Sequence, residues 1–118
     1  MGGGYKLDRP FTFSCPECMG AMQRTATGGL VQYRCHIGHV LTGEAMREAQ
    51  EVVLEMRLGS VLSLLNERAE LCRQLAEDAL AEEQDPTILE AARNEALQRA
   101  ETIRSLLESE WVQLGRDA

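Results

Sequence analysis

The chain has 118 residues, 44% of them hydrophobic but only 4% aromatic, with a net charge of −7. That length holds one domain or two very small ones, and the aromatic-poor composition implies an Ala- and Leu-rich interior of the kind helices build. An acidic balance disfavours nucleic acid, whose phosphates require clustered Lys and Arg, and no apolar run approaches the length of a membrane span.

Met1-Gly2-Gly3-Gly4 is followed by no apolar stretch, so it does not read as a secretory signal. Lys6 stands where a myristoylation signal requires Ser or Thr. Residues 1–10 read as linker, and the cytoplasm is the expected compartment. Phe11-Thr12-Phe13 alternates apolar and polar residues, which predicts a short strand.

Next comes the pattern with the most chemical content. Cys15-Pro16-Glu17-Cys18 and Cys35-His36-Ile37-Gly38-His39 are separated by sixteen residues, giving C-x2-C-x16-C-x3-H. Two short chelating loops, each supplying two soft or borderline donors, fit the four corners of a tetrahedral zinc site. Cys15, Cys18, Cys35 and His39 are the predicted ligands of one structural Zn2+. His36 adjoins Cys35, so its ring is expected to point away from the same ion. A disulfide, the alternative, leaves His39 unexplained. Three metal-binding cysteines and one separate thiol, Cys72, suit a reducing compartment.

Between the loops, Met22 to Thr25 and Leu30 to Arg34 are strand candidates, and Thr27-Gly28-Gly29 is a hairpin signal. Leu30, Gln32 and Arg34 would share one face, Val31 and Tyr33 the other. Gly20 is expected to take positive φ where the first knuckle closes, and Gly38 to give the second its tight turn. Residues 11–41 therefore read as a zinc ribbon. Its apolar side chains are too few to offset chain entropy unaided, so metal binding would stabilise it.

From Thr42, a candidate N-cap, the period becomes helical. Ala45, Ala49, Val52, Met56 and Gly59 form a stripe that slips by one residue, then continues through Leu62, Leu65, Ala69, Cys72, Ala76 and Ala79. Gly59 is the expected bend. Val61, Leu64, Leu71 and Leu75 add a second apolar row. Asp85-Pro86-Thr87 stops this helix and starts another, capped by Asp85 or by Thr87. The second stripe runs Leu89, Ala92, Ala96, Ala100, Ile103, Leu107, Trp111 and Leu114, with Gly115 as a natural C-terminal cap. Residues 42–118 thus predict a helical hairpin, with helices over about 43–84 and 87–114. The fold class is α+β, mostly α: a small N-terminal zinc ribbon followed by a long antiparallel α-helical hairpin.

Charge divides along the same boundary. Residues 1–41 carry four Lys or Arg against Asp8 and Glu17, net +2, whereas residues 42–118 carry eight Arg against seventeen acids, net −9. No nucleophile and base pair up, no Gly-rich phosphate loop follows a strand, and neither helix contains the histidine a phosphotransfer bundle needs. A zinc shell filled by four protein ligands leaves no position for a reacting water. The chain is therefore expected not to be an enzyme. Cys72, on the apolar stripe, reads as a small core residue.

Phe13-Ser14-Cys15-Pro16-Glu17-Cys18, Tyr33-Arg34-Cys35-His36-Ile37-Gly38-His39 and the helix around Asn66-Glu67-Arg68-Ala69-Glu70-Leu71 resemble the C-terminal extension of some bacterial chemotaxis protein-glutamate methylesterases of the CheB type. The likeness spans about Tyr5 to Ala81. The family pattern often has Gly directly after the second Cys, where this chain has Met19 and then Gly20. The resemblance implies a cytoplasmic signalling context but not the esterase, whose catalytic residues match no position here. The expected function is a non-enzymatic zinc-binding regulatory or oligomerisation module of a methylesterase-like signalling protein. Its expected partners are a second copy, paired through the helices, and a signalling or receptor protein that meets Arg24, Arg34 and His36. A zinc-ribbon nucleic-acid or transcription-regulatory module is the alternative, kept open by the slightly basic ribbon.

Overall fold

The computed structural model describes Tyr5 and residues 7–112. The elements in chain order are β1 (Phe13–Ser14), β2 (Ala21–Thr27), β3 (Leu30–Cys35), β4 (Val40–Thr42), α1 (Gly43–Ala81) and α2 (Thr87–Glu108). The four strands form one antiparallel sheet in the order β1-β2-β3-β4, and the two long helices follow it, so the fold is α+β and mostly α. The chain divides into two compact units, Met1–Val53 and Leu54–Ala118. No helix is long and apolar enough to cross a membrane among the described residues.

In the first unit the turn between β2 and β3 sets the register. Gly28 and Gly29 have φ of 58° and 82°, the double positive φ of a type I′ turn, whose twist matches the strands it joins. Thr27 consequently faces Leu30, and the pairing runs back through Gln23↔Arg34 to Met22↔Cys35. Strand alternation then puts Leu30, Gln32 and Arg34 on one face and Val31 and Tyr33 on the other. Met22 and Cys35 share that second face with Tyr33 and Leu41.

Its core comprises Cys15, Met22, Cys35 and Met46, with Phe13, Cys18, Tyr33 and Leu41 partly buried around them. Phe13 and Tyr33 meet edge to face, ring centroids 5.5 Å apart. Met46 comes from the first turns of α1, so the helix start completes the ribbon core. Thr42 caps that start as predicted, its Oγ1 accepting a hydrogen bond from the Ala45 N–H at 3.1 Å. The third partner of the central hairpin, β4, was not legible as a strand. Three residues carry no period, and only the reversal at Cys35–His39 brings Val40, Leu41 and Thr42 opposite Arg34, Tyr33 and Gln32. Phe11, predicted in a strand with Phe13, lies outside β1 and is exposed.

In the second unit α1 and α2 form a helical hairpin. Ala69, Cys72, Ala76 and Ala79 of α1 and Ala96 and Ala100 of α2 are buried, and small residues at a seam let helix backbones approach closely. Trp111 Nε1 donates to Glu55 Oε1 at 2.9 Å, and Arg93 acts electrostatically on Glu70. Both pairs require antiparallel helices. Cys72 is a core residue of this seam, as its stripe position indicated. The stripe does not extend through Val52 and Met56, which are exposed. With 22 residues against 39, α2 is too short to cover all of α1. Gly59 lies within α1, which continues through it as α-helix.

Both helices stop earlier than their periodicity suggests. At the end of α1, Glu83 takes φ 58°, while Gln84 N–H reaches Ala79 C=O at 2.7 Å and Glu83 N–H reaches Leu80 C=O at 3.1 Å. This is a Schellman closure with Glu in the position glycine usually fills, so no residue type announced it. Asp85 then accepts from the Thr87 N–H at 3.0 Å and the Thr87 hydroxyl at 2.6 Å. The first helical bond of α2 runs from Glu90 N–H to Pro86 C=O. The N-cap residue is Pro86, which makes no side-chain cap bond, so neither expected cap holds; Asp85, one residue earlier, accepts from the first helical N–H instead. At the other end the Ser109 hydroxyl donates to Ser105 C=O at 2.9 Å, and Ser109 turns to extended geometry. A side chain competing for a helix carbonyl favours termination there. Residues 113–118, with Leu114 and Gly115, lie outside the described residues.

Candidate metal centre

Two backbone reversals build the site. In the first, Cys15 N–H donates to Gly20 C=O and Met19 N–H to Cys15 C=O, both at 2.8 Å. The turn needs one left-handed residue, and Met19 supplies it with φ 67°. Gly20, expected in that role, has a different one. A Cβ there would lie 3.0 Å from His36 Cε1 and 3.4 Å from Cys18 Sγ. Gly20 is thus the residue over which the His36 ring packs. In the second reversal Cys35 N–H donates to His39 C=O at 3.0 Å and Gly38 N–H to Cys35 C=O at 3.2 Å, with Gly38 at φ 107° as its glycine predicted.

The hairpin register places Cys35 opposite Met22, beside the Ser14↔Ala21 pair that leads into the first reversal. The two loops therefore meet. Cys18 Sγ lies 3.8 Å from Cys35 Sγ, and His39 Nδ1 lies 3.5 Å from Cys15 Sγ and 3.3 Å from Cys35 Sγ. All four donor atoms fall within 4.8 Å of one another. A tetrahedral ion with metal–sulfur bonds of about 2.3 Å and a metal–nitrogen bond of about 2.05 Å has edges of roughly 3.8 Å and 3.6 Å. The spacing fits, and the four residues could hold one metal ion. His36 is exposed and takes no part.

Electrostatics at the sulfurs favour a charged ligand on one side. Burial acts to raise the Cys35 thiol, but the His39 and Ile37 amides, followed by the Cys18 and His39 side chains, outweigh it and hold it at about 6. The His39 amide is 3.3 Å from this sulfur. For Cys18 the Gly20 amide acts to lower the thiol, but burial and the neighbouring Cys15 and Cys35 sulfurs leave it raised. Bringing three sulfurs together thus makes full deprotonation costly without a cation.

Glu17, between the first two cysteines, carried no role in the sequence reading. Its Oε2 lies 3.7 Å from His39 Nε2. A carboxylate on that side favours the tautomer with hydrogen on Nε2, leaving the Nδ1 lone pair toward the sulfurs. Its position inside C-x2-C was the available signal, but a surface Glu there is indistinguishable from solvated charge until His39 is placed.

The expected contact patch of Arg24, Arg34 and His36 is split. Arg24 pairs with Tyr33 while Arg34 pairs with Gln23, so the two arginines lie on opposite faces of the sheet. Arg34 and His36 instead border a shallow groove with Ala21, Gln23 and Thr25.

Comparison with protein-family models, curated proteins and solved structures returns no match.

Proposed function

We propose that this chain is a non-enzymatic zinc module, in which Cys15, Cys18, Cys35 and His39 hold one structural Zn2+ that fixes the ribbon. The observation that carries this reading is the tetrahedral spacing of three sulfurs and one imidazole nitrogen, the donor set characteristic of structural zinc. Zinc would supply the positive charge that lets three crowded thiols ionise together, and it would staple a core of only four buried residues. Four protein donors leave no corner for substrate or water, and three thiolates make a weak Lewis acid. A reducing, cytoplasmic setting suits ligands that must stay as thiols.

The regulatory or oligomerisation role is read into a bacterial chemotaxis methylesterase-like signalling protein on the resemblance of the two knuckles and the long helix. The partner on this reading is a signalling or receptor protein with acidic segments. Arg34 and His36 suit it on one sheet face, because residues 18–43 contain no Asp or Glu. The same acid-free ribbon favours nucleic acid as the second reading, but arginines on opposite faces weaken it. Elemental analysis of protein purified without added metal tests the zinc reading, which predicts near-stoichiometric zinc. Methyl-ester release from a methylated receptor, above a ligand-substituted control, would overturn the non-enzymatic reading. A gel shift that falls steeply with salt would favour the alternative.

A further inference from the structure

The two sides of the helical hairpin are chemically unlike. At about 100° per residue, Glu70, Arg73 and Glu77 of α1 and Arg93, Glu101, Arg104 and Glu108 of α2 fall on one side of the plane containing both helices. Ion pairs cover that side: Arg73 holds Glu70 at 2.7 Å and also Glu77, and Arg104 holds Glu101 and reaches Glu108 at 3.5 Å. Arg93 of α2 adds a small lowering influence on the Glu70 carboxyl, after those of Arg73 and Gln74.

The opposite side is apolar. Val61, Leu64, Leu71 and Leu75 lie roughly 90° from the seam of α1, on the flank away from Glu70 and Arg73. They are 41%, 63%, 53% and 41% exposed. Ile88 and Leu106 of α2 project on the same side, 80% and 53% exposed. Charge interrupts this face at Arg68 of α1 and at Glu95 and Arg99 of α2, which pair at 3.8 Å. Together the six side chains present roughly 500 Å² of apolar surface, near the largest patch a typical monomer tolerates and a large share of the ~800 Å² each partner buries in a stable complex.

We propose that this face is a homodimer interface, in which two hairpins pack antiparallel about a twofold axis to form a four-helix bundle. Charge along the row selects a second copy and its direction. Arg57 precedes the row, Arg68 lies at its middle, and Asp78 and Glu82 follow it at the end of α1. Antiparallel pairing brings the basic end of one copy to the acidic end of the other, whereas parallel pairing would set like charges against each other. A surface complementary to itself in this way generates a closed, isologous dimer, and a four-helix bundle is the common solution for two amphipathic hairpins.

The dimer deepens the reading of this chain as an oligomerisation module and rests on it, but it is independent of the metal ligands. Sedimentation equilibrium of the full, zinc-loaded chain at about 10 μM should give twice the 13.1 kDa chain mass. Leu64→Glu with Leu71→Glu should raise the dissociation constant more than about 100-fold while helical circular dichroism and zinc content stay unchanged. Glu77→Gln, on the ion-pair side, should leave the dimer intact. Arg57→Glu should weaken an antiparallel dimer about 5-fold or more and leave a parallel one unaffected. A wild-type chain that is monomeric at 100 times that concentration, a dimer that survives the paired Leu substitutions, or one insensitive to Arg57→Glu would overturn the proposal. If zinc is present in such a chain, the metal reading stands and only the dimer fails.

Discussion

Met19→Gly should tighten metal binding, although it removes a side chain from the knuckle. Met19 holds φ 67°, a left-handed conformation that crowds Cβ against the backbone and costs a non-glycine residue about 1–2 kcal/mol. Glycine removes that cost but adds roughly 0.5–1 kcal/mol of lost chain freedom on folding. The Met19 side chain is 49% exposed, so little packing is lost with it. The net gain is about 0.5–1 kcal/mol. On the proposed reading, in which the ribbon folds and binds zinc in one step, this gain appears as roughly 2- to 5-fold tighter affinity. Competition against a chromophoric chelator at fixed pH, with zinc as the probe, measures it directly. Unchanged or weaker affinity would refute the reasoning, since it would mean that the conformation carries no strain or that Met19 packing exceeds it.

Cys15→Ser should melt the ribbon and leave most of the helical circular dichroism, because Cys15 is fully buried in the ribbon core while the hairpin seam is built from other residues. In the same assay His39→Ala should lose the metal and His36→Ala should keep it; the reverse would show that the wrong histidine was assigned. Gly59→Ala should stabilise the hairpin by about 1 kcal/mol in urea unfolding, since nothing lies within 4 Å of the added methyl; a lower midpoint would show that the glycine is needed. Glu70 is hydrogen-bonded first by Arg73 and then by Gln74, which lower its carboxyl from 4.5 to about 2. Its stabilising contribution is therefore present above pH 4.5 and lost as pH falls through about 2. Carboxyl-carbon NMR should show this low midpoint, and Arg73→Ala should move it upward.

That Cys15, Cys18, Cys35 and His39 converge was legible because chelation geometry is local. A C-x2-C loop and a C-x3-H loop each aim two donors at one point whatever surrounds them, and only the sixteen-residue gap had to close. Gly28-Gly29 closed it, since the double positive φ that a two-residue hairpin needs is almost confined to glycine. Helix faces were legible for the same reason: periodicity survives in Ala69, Cys72, Ala76, Ala96 and Ala100 without knowledge of the partner helix.

What the sequence left open depends on groups distant along the chain. Val40, Leu41 and Thr42 become a strand only because Cys35–His39 returns them to β3. Met46 belongs to the ribbon core, whereas Met56, on the predicted stripe, lies at the surface, because burial is decided by what lies opposite. Met19 and Glu83 occupy left-handed positions that composition would have given to glycine, and the surrounding hydrogen bonds hold them there. Arg24 and Arg34 were read as one patch on the slightly basic ribbon, but the pairing register sends them to opposite faces. Glu17 gained its place beside His39 only when the two knuckles met. The residues determine which local turns, ligands and faces are possible; the tertiary structure decides which of them meet, because burial, register and charge proximity are properties of pairs.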